Sequence, residues 1–157
     1  MKGNKKQFWT YVISIVVALA VGGLSAWVNA GKMEMPNLIK APLTPPSWLF
    51  PVVWTILFTL MGISAAKVYL SHCSGKSDAL FIYGVQLVVN FLWTIFYFNF
   101  GALLLSFFWL IFLIALVALM LVRFERCGPG AGKLQIPYLI WLVFAAYLNF
   151  ATWFLNR

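Results

Sequence analysis

Two groups of amide and aromatic residues recur at helical spacing, and their side chains are the best suited to chemistry in this sequence. The members of each group are three or four residues apart, which places them on one face of a helix. The first group is Gln86, Asn90, Trp93 and Tyr97. The second group is Tyr138, Trp141, Ala145 and Asn149. Two uncharged faces of this kind, turned towards a common interior, favour a mostly apolar cavity with a few orienting donors, suited to a flat aromatic ligand.

Two other interpretations of the same residues stay open at this point. Asn and Gln side chains hold helices together in a bilayer, where each hydrogen bond contributes about 0.6–2 kcal/mol. Tyr and Trp side chains also collect in the aromatic belts at the two membrane surfaces. The spacing alone does not separate a ligand-binding role from either structural role.

The sequence has few acidic residues or histidines that could act in acid–base catalysis or bind a metal. It has three acidic residues and one histidine, His72, which we expect in a solvated loop. No catalytic residue and no metal site is predicted, because the chain offers no carboxylate pair, no Ser–His arrangement and no metal-ligand spacing. Cys73 and Cys127 likewise imply neither a zinc site nor a disulfide framework.

The composition is that of an integral membrane protein. Of the 157 residues, 64% are hydrophobic and 9% are charged, and the mean hydropathy is +0.95. Soluble domains average roughly 45–50% apolar and about 25% charged residues. The net charge is +8, but the basic residues flank long apolar runs. They therefore indicate membrane-protein loops, and nucleic acid is not an expected partner.

Five apolar segments of about 20 residues each are long enough to cross a hydrocarbon core of about 30 Å. The sequence therefore predicts an all-α fold, a single domain over 1–157 that forms a bundle of five transmembrane helices. The helices are expected at about 8–29, 45–70, 78–98, 102–123 and 134–155, with a long first loop at 30–44. The first segment resembles a signal peptide, but it exceeds the usual apolar length of about 7–15 residues and is expected to be retained.

Several residues indicate where helices begin or bend. Thr44-Pro45-Pro46-Ser47 is expected to cap the second helix, and Ser77-Asp78 the third. Pro51 falls inside the predicted second helix, where a proline removes a backbone hydrogen bond, so a kink is expected near Phe50. Small residues at 18, 22 and 26 predict close helix packing within the bundle.

The distribution of basic residues predicts the orientation. Eight of the eleven lie on the side of the N-terminus: Lys2, Lys5, Lys6, Lys67, Lys76, Arg123, Arg126 and Lys133. The positive-inside rule then places the N-terminus in the cytoplasm. Cys73 and Cys127 would lie on the same side and stay reduced.

Three separated motifs resemble the TspO/MBR family, the tryptophan-rich sensory proteins also called translocator proteins or peripheral-type benzodiazepine receptors. The first motif, at 40–55, reads KAPLTPPSWLFPVVWT. The second comprises Gln86-Leu87, Asn90 and the run WTIFYF at 93–98. The third comprises PYLIW at 137–141, Phe144-Ala145, Leu148-Asn149 and Leu155-Asn156. The resemblance extends from about Leu38 to the end of the chain.

This resemblance implies five helices around a pocket for porphyrins, haem-like tetrapyrroles and other flat hydrophobic ligands, with no required cofactor. It also implies a long first loop that covers the pocket, a homodimer in the lipid bilayer, and a location in a bacterial cell membrane. The positions that match pocket-lining residues of the family are Trp54, Asn90, Trp93, Trp141 and Ala145, with Tyr138 and Trp48 as neighbours.

Three functions remain open on the sequence. The first is a sensor or carrier that binds tetrapyrroles. The second is an enzyme-like, light- and oxygen-dependent breakdown of porphyrin that uses the pocket tryptophans. The third is a structural membrane protein without a ligand.

Overall fold

Five long helices make up most of the structure, a computed structural model that describes residues 2–157; Met1, the first residue of the predicted domain, lies outside them. The helices are α1 Lys2–Val28, α2 Leu49–Leu70, α3 Lys76–Thr94, α4 Leu103–Cys127 and α5 Ile136–Leu155. A π-helix, Ile95–Asn99, continues α3, and a 3₁₀ helix, Lys133–Gln135, leads into α5. Each long helix is apolar enough and long enough to span a membrane. The prediction of an all-α bundle of five transmembrane helices is confirmed.

The helix boundaries differ from the predicted ones mainly around the first loop. Helix α2 begins at Leu49, four residues after the predicted start. The prolines at 45 and 46 disfavour helical backbone at Thr44 and Pro45, and a separate turn, closed by the bond from the Leu49 N–H to the Pro46 carbonyl, precedes the helix. Its N-cap residue is Trp48, and no side chain caps this end. The predicted cap at Thr44-Pro45-Pro46-Ser47 is therefore wrong. Helices α1 and α4 extend further than predicted, to Lys2 and Cys127.

Two other local predictions are also corrected. Pro51 is the third residue of α2. A proline in the first turn leaves no hydrogen bond unmade, so the reason for a kink near Phe50 disappears. Helix α3 begins before Asp78, with Gly75 as its N-cap residue and no side-chain cap, so Ser77-Asp78 is not the cap.

Close contact between α1 and α2 depends on glycine. A Cβ atom added at Gly62 would lie 2.5 Å from the Cα of Ile15, and one at Gly22 would lie 2.7 Å from the Phe58 ring. Ala18, on the same face of α1, is fully buried. The predicted small-residue face therefore packs inside the bundle at these two positions of α1.

Helix α4 packs along both α3 and α5, and α1 packs along α2. The pair α1–α2 and the triple α3–α4–α5 together bury an apolar core that includes Met61, Leu113 and Leu142. At one end of the bundle, the loop between α4 and α5 is fastened to α2. The Ser64 hydroxyl donates to the carbonyl of Ala131 at 2.6 Å, and Lys67 Nζ donates to the carbonyl of Pro129 at 3.1 Å.

The two cysteines form a disulfide, which corrects the prediction that they are reduced. Cys73, in the loop between α2 and α3, is bonded to Cys127 at the end of α4, with the two Cα atoms 5.1 Å apart. This Cα separation is within the usual range for disulfides. The residues are 54 positions apart in the chain. A pair of cysteines this far apart carries no spacing signal that sequence reasoning could have used.

The disulfide and most of the basic residues lie at the same end of the bundle. The two signals oppose each other, because positive residues favour the cytoplasm and disulfides persist in oxidising compartments. The cytoplasmic N-terminus consequently stays a prediction that rests on charge alone.

Substitution of Gly62 by Ala should destabilise the protein, because the added methyl group would overlap the backbone of α1. We expect the free energy of unfolding to fall by about 1–3 kcal/mol, which is typical of overpacking. The thermal midpoint of the purified protein in detergent measures it. Gly84→Ala is the matched control, since a Cβ at Gly84 has no atom within 4 Å. Equal midpoints for the two variants would contradict the close α1–α2 contact.

The orientation can be tested with single cysteines in a Cys73→Ser, Cys127→Ser background. Lys40, in the long first loop, and Lys133, at the start of the 3₁₀ helix before α5, are both exposed and lie at opposite ends of the bundle. With the N-terminus in the cytoplasm, Lys40→Cys should react with a membrane-impermeant maleimide in intact cells. Lys133→Cys should react only after the cells are opened. The reverse pattern would place the disulfide end outside the cell and overturn the charge-based prediction.

Candidate ligand-binding site

Three aromatic rings from three helices meet in the bundle interior. The ring of Trp54 on α2 lies 6.4 Å from the ring of Trp93 on α3, between centroids. The same Trp54 ring lies 6.1 Å from that of Tyr138 on α5, nearly edge to face. These separations are in the range of favourable aromatic pairs. We call these residues, together with Asn90 and Gln86, the aromatic–amide cluster.

A chain of hydrogen bonds connects the cluster residues on α2, α3 and α5. Asn90 Nδ2 donates to the Tyr138 hydroxyl at 2.7 Å, and this hydroxyl donates to Gln86 Oε1 at 2.8 Å. Gln86 Nε2 in turn lies 3.8 Å from the sulfur of Met61 on α2. The chain joins α5 to α3 and α3 to α2. Asn90 and Gln86 therefore have the helix-bridging role that the sequence left open.

A second polar junction lies further along α3. Trp93 Nε1 donates to Asn149 Oδ1 at 3.3 Å, and the Ser106 hydroxyl donates to the same oxygen at 3.1 Å. Asn149 Nδ2 donates to the carbonyl of Leu103 at 2.8 Å. One amide thus connects α3, α4 and α5. Its bond fixes the orientation of the Trp93 indole beside Trp54.

Side chains bridge the space between α2 and α5, whose backbones pack less closely than those of the neighbouring helix pairs. The rings of Phe50 and Trp141 are 5.8 Å apart across this space, and Trp141 lies 5.6 Å from Phe144. Ala145, one turn beyond Trp141, is half-buried against the core. We call the space between these residues the α2–α5 cleft.

The structure brings together most, but not all, of the predicted site residues. Trp54, Asn90, Trp93 and Tyr138 belong to one cluster, and Trp141 and Ala145 lie along the adjoining cleft. Trp48 is 64% exposed and lies outside this arrangement. Trp93 and Tyr138 are only 7% and 1% exposed, so neither lies in a lipid-facing aromatic belt.

Sequence reasoning left some contributors out of the site. Gln86 and Asn149 lie on the two predicted amide and aromatic faces but are not among the predicted site residues. Their positions on those faces are the signal that could have identified them. Ser106 is a single hydroxyl in an apolar helix. Phe50 gave no signal, because one phenylalanine among fifteen is not distinctive.

Two concave regions formed by the described residues lie away from the cluster. One, of about 300 Å³, is at the disulfide end and is lined by residues that include Tyr11, Lys67 and Pro129. The other, of about 570 Å³, runs along α3 beside Phe81 and Val88. Trp93 and Tyr138 are almost fully buried within the cluster, so a large ligand would need space from the α2–α5 cleft. Within residues 2–157, no group of His, Cys, Asp or Glu could hold a metal ion.

The long first loop is fastened to the end of α5. Asn156 Oδ1 accepts from the backbone N–H of Ile39 at 2.8 Å, while its Nδ2 donates to the carbonyl of Ile39 at 2.9 Å. The side-chain amide thereby pairs with both backbone groups of one residue. The Tyr147 hydroxyl donates to the carbonyl of Pro42 at 3.1 Å. Between these residues and α2, the loop turns at Leu43, which has a left-handed φ of 67°.

The π-helix positions a second fastening at the start of this loop. The N–H of Phe100 bonds to the carbonyl of Ile95, five residues back, and the wider turn brings Asn99 to the end of α1. Asn99 Nδ2 donates to Asn29 Oδ1, and Asn29 Nδ2 donates to the Thr94 hydroxyl at 2.9 Å. The loop is thus held at its root by α3 and in its middle by α5.

The fold and the site define a multi-pass membrane protein with an uncharged, aromatic and amide-lined interior. Comparison with known sequences then assigns the family. The sequence profile of the TspO/MBR family matches residues 13–154. The chain belongs to the TspO/MBR family of membrane sensory and translocator proteins.

Individual relatives cover nearly the whole chain. The chain is 35% identical to "Tryptophan-rich protein TspO" of Chlorobaculum tepidum, over 96% of this chain and 98% of the relative. It is 36% identical to "Tryptophan-rich sensory protein" of Cereibacter sphaeroides, over 94% and 92% of the two chains. It is 29% identical to "Translocator protein" of Ovis aries, over 74% of this chain and 71% of the relative.

Substitution of Asn156 by Ala should release the middle of the long loop, because both hydrogen bonds to Ile39 are lost. Lys40, the next residue, is exposed, so trypsin should cut after it several-fold faster than in the parent protein. Cleavage of detergent-purified protein, followed by mass spectrometry, measures the rate. Asn37→Ala is the matched control, an exposed loop asparagine without such bonds to α5. Unchanged cleavage in the Asn156 variant would show that Asn156 does not hold the loop.

Proposed function

We propose that this protein is a membrane sensor or carrier that binds porphyrins and related tetrapyrroles, or other flat hydrophobic ligands, beside the aromatic–amide cluster. The observation that carries the proposal is the packing of Trp93 and Tyr138 around Trp54, in an interior whose buried residues, among those described, include no charged side chain. Rings so arranged offer stacking faces to a planar aromatic ligand. The amides behind them offer a small number of orienting hydrogen bonds.

The α2–α5 cleft is the proposed site of access. Trp54 and Trp141 are both half-buried and lie on the two helices that bound it. A planar ligand that separates α2 from α5 would replace the contact between Phe50 and Trp141 and keep the closer packing of α1 on α2. The long loop would then cover the ligand at the end where α2 begins and α5 ends.

The second candidate function is light- and oxygen-dependent breakdown of bound porphyrin. It is favoured by the partial burial of Trp54 and Trp141, because both indole rings would reach a ligand in the cleft. Binding and breakdown use the same residues, so a chemical readout has to separate them. The homodimer implied by the family resemblance stays a prediction.

Porphyrin should quench the tryptophan fluorescence of the protein saturably, and Trp54→Leu or Trp141→Leu should weaken its binding. Leucine keeps apolar bulk but loses the stacking face, a loss of about 0.5–1.5 kcal/mol per ring pair. This loss corresponds to a roughly two- to tenfold rise in Kd. Because both variants also remove a fluorophore, the titration should follow porphyrin absorbance as well.

Trp27→Leu is the control for this experiment, since Trp27 is 73% exposed on α1, away from the cleft. Unchanged affinity in both the Trp54 and Trp141 variants would contradict the proposed site. Absence of saturable binding to the parent protein would favour a structural role. A new product formed from porphyrin under light by the parent protein, and lost in either variant, would favour the breakdown activity.

A further inference from the structure

The open cavity of about 300 Å³ at the disulfide end is separate from the aromatic–amide cluster and from the α2–α5 cleft. It lies between α1, the end of α2 and the segment that follows α4, and its lining includes Gln7, Tyr11, Lys67, Ser71, Cys127 and Pro129. Small-molecule sites are usually about 300–1,000 Å³. A cavity at the lower limit of this range suits a small polar group better than a tetrapyrrole.

Lys67 provides the positive charge of the cavity wall. Its side chain is half-buried in the last turn of α2, and its Nζ donates to the carbonyl of Pro129 at 3.1 Å. A Cβ added at Gly130 would lie 3.3 Å from this nitrogen, so the loop holds the ammonium closely on one side. An ammonium has three donors, and one bond to a neutral carbonyl does not cancel its charge. Lys67 is therefore held in position with donors left for an anion.

The groups around Lys67 leave the cavity positive. The carbonyl of Ser71, just after α2, accepts a hydrogen bond from Lys76 Nζ at 3.1 Å, so a second ammonium lies beside the lining. Glu125 is the acidic residue closest in sequence to the lining. Its carboxylate accepts bonds from the backbone N–H groups of Gly130 and Gly132, each at 3.0 Å. Glu125 is thus engaged by the loop backbone, and the two lysines determine the sign of the charge.

The α1 side of the cavity has the features of a membrane–water interface. Gln7 and Tyr11 are one turn apart on α1, directly after two consecutive lysines. Trp9 lies between them and is 58% exposed. Exposed indole rings next to basic residues are typical of the level of the lipid head groups. Helix α1 is also the most exposed of the five spanning helices, so acyl chains can pack along it while a head group enters the cavity.

We propose that this cavity binds the phosphate group of an anionic phospholipid. Lys67 Nζ donates to one phosphate oxygen, and the Tyr11 hydroxyl and the Gln7 amide donate to others. A bond between an ammonium and a phosphate is charge-assisted and stronger than a neutral one. Zwitterionic lipids carry the same phosphate with a positive group attached, which Lys67 and Lys76 repel. The site therefore prefers anionic lipid, and it does not depend on the proposed function.

Thermal midpoints of the purified protein in a neutral detergent, measured with added lipid, test the proposal. Phosphatidylglycerol should raise the midpoint saturably, because a ligand that binds the folded state stabilises it. Phosphatidylcholine with the same acyl chains should have a smaller effect. Inorganic phosphate should have none, since it lacks the chains that pack along α1. No shift with phosphatidylglycerol, an equal shift with phosphatidylcholine, or an equal shift with inorganic phosphate would overturn the proposal.

Variants then locate the site. Lys67→Gln should raise the phosphatidylglycerol concentration of the half-maximal shift roughly tenfold, which corresponds to the loss of one charge-assisted bond. Each shift is taken from the variant's own lipid-free midpoint, because Lys67→Gln also removes the bond to Pro129. Lys133→Gln is the matched control: it removes the same charge from the same end, but Lys133 is exposed and outside the lining. Its half-maximal concentration should stay unchanged.

Tyr11→Phe gives a second test that leaves Lys67 and its bond to Pro129 in place. Loss of the hydroxyl should raise the half-maximal concentration several-fold, so the proposal stays testable if Lys67→Gln does not fold. Equal losses in the Lys67 and Lys133 variants would show a general attraction between anionic lipid and the basic end, and would overturn the site. An unchanged concentration in Tyr11→Phe and in Lys67→Gln would overturn it as well. None of these measurements uses porphyrin, so their outcome is separate from that of the proposed function.

Discussion

The hydroxyl group of Tyr138 is the junction on which the interior of this bundle depends. It accepts a hydrogen bond from Asn90 and donates one to Gln86, so it acts as donor and as acceptor within the protein. In a bilayer the helices gain little from hydrophobic association, because lipid tails are as apolar as leucine. Small-residue contacts and interhelical hydrogen bonds then specify which helices meet, and the bond of Tyr138 sets the register of α5 against α3.

The dependence on interhelical hydrogen bonds also explains the positions of the aromatic rings in the cluster. A hydrogen bond from its N–H fixes the orientation of an indole ring. Trp93 donates such a bond to Asn149. Trp93 in turn supports one side of Trp54, with Tyr138 on another side. An uncharged interior can thus hold an ordered aromatic surface. This order is what a planar ligand would need, since stacking depends on ring orientation more than on bulk.

Much of the fold and part of the site could be predicted from the sequence, because both follow from local patterns. Apolar runs give the helices, and the three- and four-residue spacing gives the faces that carry Asn90 and Tyr138. The sequence could not predict contacts made between distant segments. The Cys73–Cys127 pair and the bond of Asn156 to Ile39 each join residues far apart in the chain. The start of α2 was missed for a different reason, since the prolines keep Thr44 and Pro45 out of the helix and a separate turn precedes Leu49.

The restraints on α2 are unequal along its length, and this inequality indicates where α2 is held less tightly against α5. Near its C-terminal end, Ser64 and Lys67 bond to the loop between α4 and α5, and the disulfide closes the same end. Near its N-terminal end, α2 meets α5 through the Phe50 and Trp141 rings. The rings of Trp54 and Tyr138 also join these two helices, and the long loop is held at this end by side chains of α5. Separation of α2 from α5 would therefore pivot about the disulfide end and be widest at the start of α2, next to the long loop.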